Sequence, residues 1–192
     1  LPLRGIRVEV PRAADFSPDD RFLALGYKDG AVTLRSVASQ QDETTFGKHG
    51  DGVNEVFFSP DGRVLVTTTG DGSVKLWDVA TRRELAMLRG HSAGVHGAAF
   101  LGDSRRVATG CSSAKDAVII WDPVAQRELL SLRTEGQFFV NLLFSPDGNT
   151  LVATSLDGHA NLWRAPAWAG SSWRRKARTY PSDGGSAAAS PC

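Results

Sequence analysis

The stretch FSPDGRVLVTTTGDGSVKLWD (Phe58–Asp78) contains two tight turns on either side of a β-branched segment. In the first turn, SPDG, proline presets φ and glycine adopts a positive φ. The alternating segment RVLVTTT (Arg63–Thr69), and the SVKLWD that follows the GDG turn, are typical of strands. The flanking segments VNEVFF (Val53–Phe58) and RRELAML (Arg82–Leu88) are also strand-like. The sequence therefore predicts a four-stranded unit without a helix.

The same unit recurs along the chain. Phe16, Phe58 and Phe100 are each 42 residues apart, and Phe144 follows after 44. The residue that ends the third predicted strand recurs in the same register, at Arg35, Trp77, Trp121 and Trp163. Self-similarity at this period indicates an array of four-stranded sheets, each of which buries its faces against its neighbours.

The repeats set the expected domain organisation. We expect four of them, at residues 6–49, 50–91, 92–135 and 136–167. The segment LPLRG (Leu1–Gly5) echoes the LRG at residues 88–90, so we expect it to be the outer strand of a preceding unit. Repeats would then fill residues 1–167. Residues 168–192 contain no aliphatic side chain larger than alanine and cannot build a core, which predicts a disordered tail.

Composition and charge argue against several classes of protein. The hydrophobic fraction of 41% and the charged fraction of 22% are typical of a globular protein. The net charge of +1 provides no global attraction to nucleic acid or to an anionic membrane. No apolar run is long enough to span a bilayer. The two cysteines, Cys111 and Cys192, provide neither a disulfide framework nor a metal site, which favours a cytoplasmic location.

The motifs FSPDGRVLVTTTGDGSVKLWD and LRGHSAGVHGAAF (Leu88–Phe100), with IIWD after the latter, resemble the WD40 repeat family. The resemblance covers residues 3–167 and implies an all-β fold of β-propeller blades, each with four antiparallel strands. The resemblance implies blades that close into a ring, usually of seven. Such a ring needs about 300 residues at this period. Four repeats imply a partial propeller or open arc, or a pair of copies that together complete a ring.

A second resemblance concerns the end of the repeats. The segment LWRAPAW (Leu162–Trp168) is similar to the last repeat of large bacterial WD40 proteins, some of which carry a Ser/Thr protein kinase domain upstream. This resemblance implies an alternative function, in which the chain is the regulatory or adaptor region of a bacterial signalling protein.

The WD40 resemblance also implies a structural hydrogen-bond network in each blade, formed by a His, a Ser or Thr, an Asp and a Trp. The second repeat offers the full set, namely His49, Thr69 (or Thr67), Asp71 and Trp77. The third repeat retains His91 and Trp121, and the fourth retains Ser155, Asp157 and Trp163. In the third repeat Lys115 stands where the Asp is expected. We therefore expect a complete network with a buried Asp71 in the second repeat, and none in the third.

No part of the sequence indicates catalysis. His49, Thr69 and Asp71 match the residue types of a catalytic triad, but their register positions favour the structural network, and no oxyanion hole is evident. The GDG turn is too short to cradle a phosphate. His96 and His159 are isolated, so we expect no metal. We predict a protein that is not an enzyme and binds no cofactor.

A non-enzymatic protein–protein interaction scaffold is the function that the sequence favours, because repeats place many loops on one rigid support. The resemblance suggests that a protein partner of unknown identity binds the face carrying the turns between second and third strands. The positions expected to face it are Arg12, Lys28, Asn54, His96, Phe138, Val140 and Leu156. Self-association is a further alternative, and no membrane partner is expected. Nucleic-acid contact rests on the basic WRRKAR (Trp173–Arg178) alone and is disfavoured.

Overall fold

The computed structural model describes residues 10–102, 104–113, 117–132 and 139–164. Within these ranges the chain is all-β, with fifteen strands and no helix, which confirms the predicted fold class. No helix in this part of the chain is therefore available to cross a bilayer. The expectations for residues 1–5, Lys115, Phe138 and residues 168–192 lie outside the described ranges.

The strands form four separate sheets. The first sheet contains β1 (Pro11–Phe16), β2 (Phe22–Tyr27), β3 (Ala31–Ser36) and β4 (Asp42–Lys48). The second contains β5 (Val53–Phe58), β6 (Val64–Thr69), β7 (Val74–Asp78) and β8 (Arg83–Leu88). The third contains β9 (Val95–Phe100), β10 (Val107–Cys111), β11 (Val118–Asp122) and β12 (Arg127–Leu132). The fourth contains β13 (Phe139–Phe144), β14 (Thr150–Ser155) and β15 (Ala160–Arg164).

Each sheet is an antiparallel meander whose strand order follows the sequence. The cross-strand register repeats from sheet to sheet, as the partners Leu65–Trp77 in the second sheet and Leu151–Trp163 in the fourth illustrate. Because the register repeats, side chains at equivalent positions point to the same face of every sheet. The limits of the four repeats stay a prediction.

The SPDG turn has a local structure that explains its recurrence. In the second sheet the Ser59 hydroxyl donates to Asp61 at 2.6 Å and accepts from the Val64 amide at 3.0 Å. Gly62 adopts a φ of 70°, which glycine tolerates because it has no Cβ. The less regular turn of the third sheet places Ser104 in the same left-handed region, at a φ of 58°. The turn between the first two strands is therefore kept even where its sequence has changed.

The sheets stack face to face in sequence order through apolar clusters. Leu34 of the first sheet and Trp77 of the second share one cluster, and Leu76 and Trp121 share the next. Ile120 and Trp163 belong to the cluster between the third and fourth sheets. The series is open and does not close into a ring, as the repeat count predicts.

Candidate functional site

A shared threonine hydroxyl links the buried side chains of the second sheet. Thr67 Oγ1 lies 2.6 Å from His49 Nε2 and accepts from Trp77 Nε1 at 2.8 Å. All three residues are buried, with 3% or less of their surface exposed. The sequence left Thr67 and Thr69 as alternatives for this position, and Thr67 is the one that contacts both His49 and Trp77.

Thr69 belongs to a second group of hydrogen bonds, at the turn between β6 and β7. Its hydroxyl donates to Asp71 at 2.5 Å and lies 2.7 Å from Ser73 Oγ. Ser73 Oγ also lies 3.3 Å from His49 Nδ1, so it joins this group to the Thr67 group. No sequence motif marks Ser73 as a member of this group.

The expectation that Asp71 is buried is wrong. Asp71 lies on the exposed rim of the turn, where its carboxylate accepts from the Thr69 hydroxyl and the Ser73 amide. These hydrogen bonds hold the pKa of Asp71 below its ordinary value, with the Thr69 contact as the largest cause. At the rim of the turn the carboxylate satisfies these donors, and the hydrogen bonds outweigh its partial desolvation.

Burial controls the charge of His49. Removal from water, and then the charge of the nearby Lys75 ammonium, lower the pKa of this imidazole to about 4. Lys75 is held 2.9 Å from Glu84 and lies over the Trp77 ring at 5.2 Å. His49 is therefore neutral near pH 7, which suits a structural residue with hydrogen bonds at both ring nitrogens.

The third sheet also contains the His–Thr–Trp arrangement, which corrects the expectation that it has no network. Thr109 Oγ1 lies 2.6 Å from His91 Nε2 and accepts from Trp121 Nε1 at 2.7 Å. This chain of hydrogen bonds needs no Asp in the turn, because the threonine alone connects the two rings. Thr109 is the residue that the sequence analysis missed, although its position 42 residues after Thr67 marks it.

The first and fourth sheets lack this chain of hydrogen bonds because the threonine position holds Leu25 or Ala153. In the first sheet Arg35 replaces the tryptophan, is buried, and donates to the Gln40 carbonyl. In the fourth sheet Ser155 donates to Asp157 at the turn, and Trp163 is buried against the third sheet.

The turn face is defined here as the end of the sheets that carries the turns after β2, β6 and β14. Arg12 and Lys28 are exposed on it, and His96 is half-buried. An added Cβ on Gly52 would lie 3.1 Å from the Arg12 guanidinium and 2.8 Å from the Lys28 carbonyl, so the first and second sheets meet there. Burial, and then the charge of Arg12, lower the pKa of His96, which indicates that these two residues are close.

The remaining predicted contact residues differ in accessibility. Asn54 is half-buried and donates to the Val95 carbonyl at 2.9 Å, so its amide joins the second and third sheets. Leu156 is 72% exposed. Val140 lies in β13 without a described side chain, and Phe138 lies outside the described residues. Among the predicted residues whose side chains are described, Arg12, Lys28 and Leu156 are exposed.

The opposite end of the sheets contains a cavity of about 230 Å³ between the first two SPD turns. Asp19 and Asp61 line it together with the ring of Phe22. Each carboxylate accepts from the serine two residues before it and from the backbone amide two residues after it, which lowers its pKa. Both acids therefore have a structural role in closing their turns.

Metal-binding geometry is absent from the described ranges, where no three His, Cys, Asp or Glu side chains form a group able to hold an ion. The buried hydroxyl of Thr67 is hydrogen-bonded on both sides and inaccessible, so it cannot act as a nucleophile. The arrangement of the described residues therefore suits structural support of exposed turns.

Comparison with known proteins agrees with this geometry. None of the curated proteins matches the chain. The family model for the WD domain, G-beta repeat, matches residues 40–78, 82–122 and 130–164, which is more than half of the chain. Each match begins just before or within the last strand of one sheet and ends with the third strand of the next. The chain therefore belongs to the WD40 repeat family.

Proposed function

We propose that this chain is a non-enzymatic scaffold that binds a protein partner on the turn face. The observation that carries the proposal is the threefold match to WD40 repeats, a family that generally serves protein–protein interaction. The buried His–Thr–Trp group of the second sheet supports it, because Ser73 joins that group to the turn after β6 on this face. Rigid support of exposed loops reduces the entropy lost when a partner binds.

The contact residues that we propose are Arg12, Lys28 and Leu156. Arg12 and Lys28 place two cations where the first sheet meets the second. Leu156 adds an exposed apolar group at the turn of the fourth sheet. A polar, charged border with an apolar contact is the usual composition of a transient protein interface.

Partner capture with surface variants tests this proposal. The double variant Arg12→Glu, Lys28→Glu should bind a captured partner at least about tenfold more weakly, because both cations become repulsive to an acidic partner group. The matched control is Arg63→Glu, an exposed cation beside the SPDG turn at the opposite end of the second sheet. Equal retention of every captured protein by wild type, double variant and control would refute the turn face as the binding site.

Three more specific proposals concern the location of the protein, an adaptor role and nucleic-acid binding. A cytoplasmic location rests on the low cysteine content, two residues in the whole chain. An adaptor role for a bacterial protein with an upstream kinase domain rests on the resemblance of Leu162–Trp168 alone. Nucleic-acid binding rests on residues 173–178 and predicts affinity that falls steeply with salt and is lost when those residues are deleted.

A further inference from the structure

The first strand of every sheet contains a β-bulge at its turn-face end. The pairing with the second strand shifts at one extra residue, which is Arg12 in β1, Asn54 in β5, His96 in β9 and Val140 in β13. A bulge takes one residue out of the ladder and changes the direction of its side chain. The bulge therefore accounts for the way in which Arg12, Asn54 and His96 leave their strands.

The bulged side chains of the first two sheets reach across to the next sheet. The Asn54 amide donates to the Val95 carbonyl of β9 at 2.9 Å. The Arg12 guanidinium lies against Gly52, the residue before β5, where an added Cβ would be 3.1 Å from Nη1. Because the first strands of neighbouring sheets pack together, a side chain that crosses to the second sheet also approaches the third.

His96 occupies the bulge of the third sheet. It is half-buried, and its Nε2 atom would lie 3.1 Å from a Cβ added to Gly94. Burial, and then the charge of Arg12, lower the pKa of His96, so the guanidinium lies within electrostatic reach of the imidazole. Arg12 and His96 thus form a pair of neighbouring groups, each of which lies against a glycine.

Neither member of this pair has an acceptor of its own. Within the part of the chain that the structure describes, Arg12 and His96 form no hydrogen bond and no ion pair. Both groups can carry positive charge, and each opposes the charging of the other. A carboxylate bound between them would accept hydrogen bonds from both and would remove this repulsion. The planar guanidinium is well suited to this role, because its N–H groups match the two oxygens of a carboxylate.

The charges around the pair favour a single carboxylate over an extended polyanion. Asp51 and Asp71 are exposed on the loops before β5 and after β6. Asp51 accepts from the Gly52 amide at 2.7 Å and Asp71 from the Ser73 amide at 2.9 Å, so both belong to their loops. These two carboxylates would repel the row of phosphates of a nucleic acid, and the net charge of +1 provides no compensating attraction. An acidic side chain of a protein partner meets both conditions.

We propose that Arg12 and His96 together bind one Asp or Glu carboxylate of the protein partner, with the Arg12 guanidinium and the His96 imidazole as its two hydrogen-bond donors. This inference rests on the proposed function, because it assigns the chemistry of one partner group on the turn face. The site spans the first and third sheets, so it requires the sheets to be stacked as they are in this chain.

Titration with a capped Gly-Glu-Gly peptide, followed by NMR at low salt, tests the proposal. The chain has four histidines, and the imidazole signals of His96 are those lost in His96→Gln. These signals should shift with the peptide until they saturate, because the carboxylate binds beside the ring. A capped Gly-Gln-Gly peptide, which has no charge, should leave them unchanged.

Two variants separate the site from general charge attraction. Arg12→Gln should raise the dissociation constant of the Gly-Glu-Gly peptide at least about tenfold, since it removes the charged donor at an exposed residue where folding is not compromised. The matched control is Arg63→Gln, an exposed cation at the opposite end of the second sheet, which should bind the peptide as wild type does.

Several results would overturn the proposal. These are unshifted His96 signals, an equal response to the uncharged peptide, wild-type affinity in Arg12→Gln, and equal weakening in Arg63→Gln. A larger response to a short single-stranded DNA than to the peptide would assign the site to phosphate and would also overturn it. A captured partner that Arg12→Glu, Lys28→Glu loses, and that His96→Gln binds as wild type does, would keep the turn face and reject this site alone.

Discussion

Thr67 and Thr109 stabilise their sheets by serving two buried rings at once. Each hydroxyl lies between a histidine and a tryptophan, at distances of 2.6 to 2.8 Å. A buried donor that loses its partner costs more free energy than the hydrogen bond itself contributes. Loss of either threonine should therefore lower the free energy of unfolding more than loss of the exposed Asp71, the residue that the motif singles out.

Replacing Thr67 with valine should lower the free energy of unfolding by about 1–3 kcal/mol, because valine keeps the shape and leaves the Trp77 indole N–H without an acceptor. The control is Thr45→Val, at an exposed position of β4, which should change stability by less than about 0.5 kcal/mol. Urea denaturation measures both. Equal midpoints for the two variants would contradict the assigned network.

The low pKa of His49 predicts a pH dependence of stability. The pKa is about 4 in the folded chain and 6.5 for an ordinary histidine, so the unfolded chain binds the proton first as the pH falls. The stabilisation is complete above the unfolded value and is lost as the pH falls through about 6.5 towards 4. The loss amounts to about 3 kcal/mol, given about 1.4 kcal/mol for each pKa unit.

Urea denaturation between pH 7 and pH 4 measures this loss. In His49→Gln the imidazole is absent, so the slope of stability against pH in this window should be shallower than in wild type. Carboxylates that titrate near pH 4 affect both proteins equally and cancel in the comparison. An identical slope in the two proteins would show that His49 is not buried in its neutral form.

At the scale of the elements, the turn between the second and third strands recurs from sheet to sheet with the same backbone conformation. Gly30, Gly72 and Gly158 each adopt a φ of 86° or 87°, so this turn has one backbone conformation in three sheets. An added Cβ on Gly72 would also lie 2.8 Å from the Ala93 carbonyl oxygen. Glycine is therefore required there both by the backbone conformation and by the approach of the neighbouring sheet.

Gly72→Ala should lower the free energy of unfolding by about 1–3 kcal/mol, since a strained backbone conformation and a close contact add together. The control is Gly50→Ala, because an added Cβ there meets no atom within 4 Å. Thermal unfolding followed by circular dichroism compares the two. A melting temperature of Gly72→Ala equal to that of Gly50→Ala would contradict the assigned turn.

The sequence predicted the elements well because the strand and turn signals are local. The predicted strand Val53–Phe58 matches β5 in full, and Arg63–Thr69 differs from β6 by one residue. Side-chain contacts were less predictable, because they depend on which face a residue takes and how deep it lies. Thr67 and Thr69 lie on the same face of β6, so the choice between them is decided by position along the strand, with Thr67 at the His49 and Trp77 rings and Thr69 at the turn. The exposure of Asp71 is decided by its position at the rim.

At the scale of the whole molecule, the sheets differ in how many faces are covered. The second and third sheets lie between neighbours, whereas no described sheet covers the outer side of the fourth. The period and the repeat count predicted an open series, since four units are too few for a ring of usual size. They did not predict which end of the series is accessible, because that depends on the burial of residues such as Tyr27 and Leu143.

Hydrogen exchange of the backbone amides at low protein concentration tests the central claim, that these WD40 sheets stack in an open series with one uncovered end. The amides of β6, β7, β10 and β11 should exchange slowest, because apolar clusters cover both faces of those strands. Those of β14 should exchange faster, although β14 is paired on both sides as β10 is. Protection of β14 equal to that of β10 would contradict the open series.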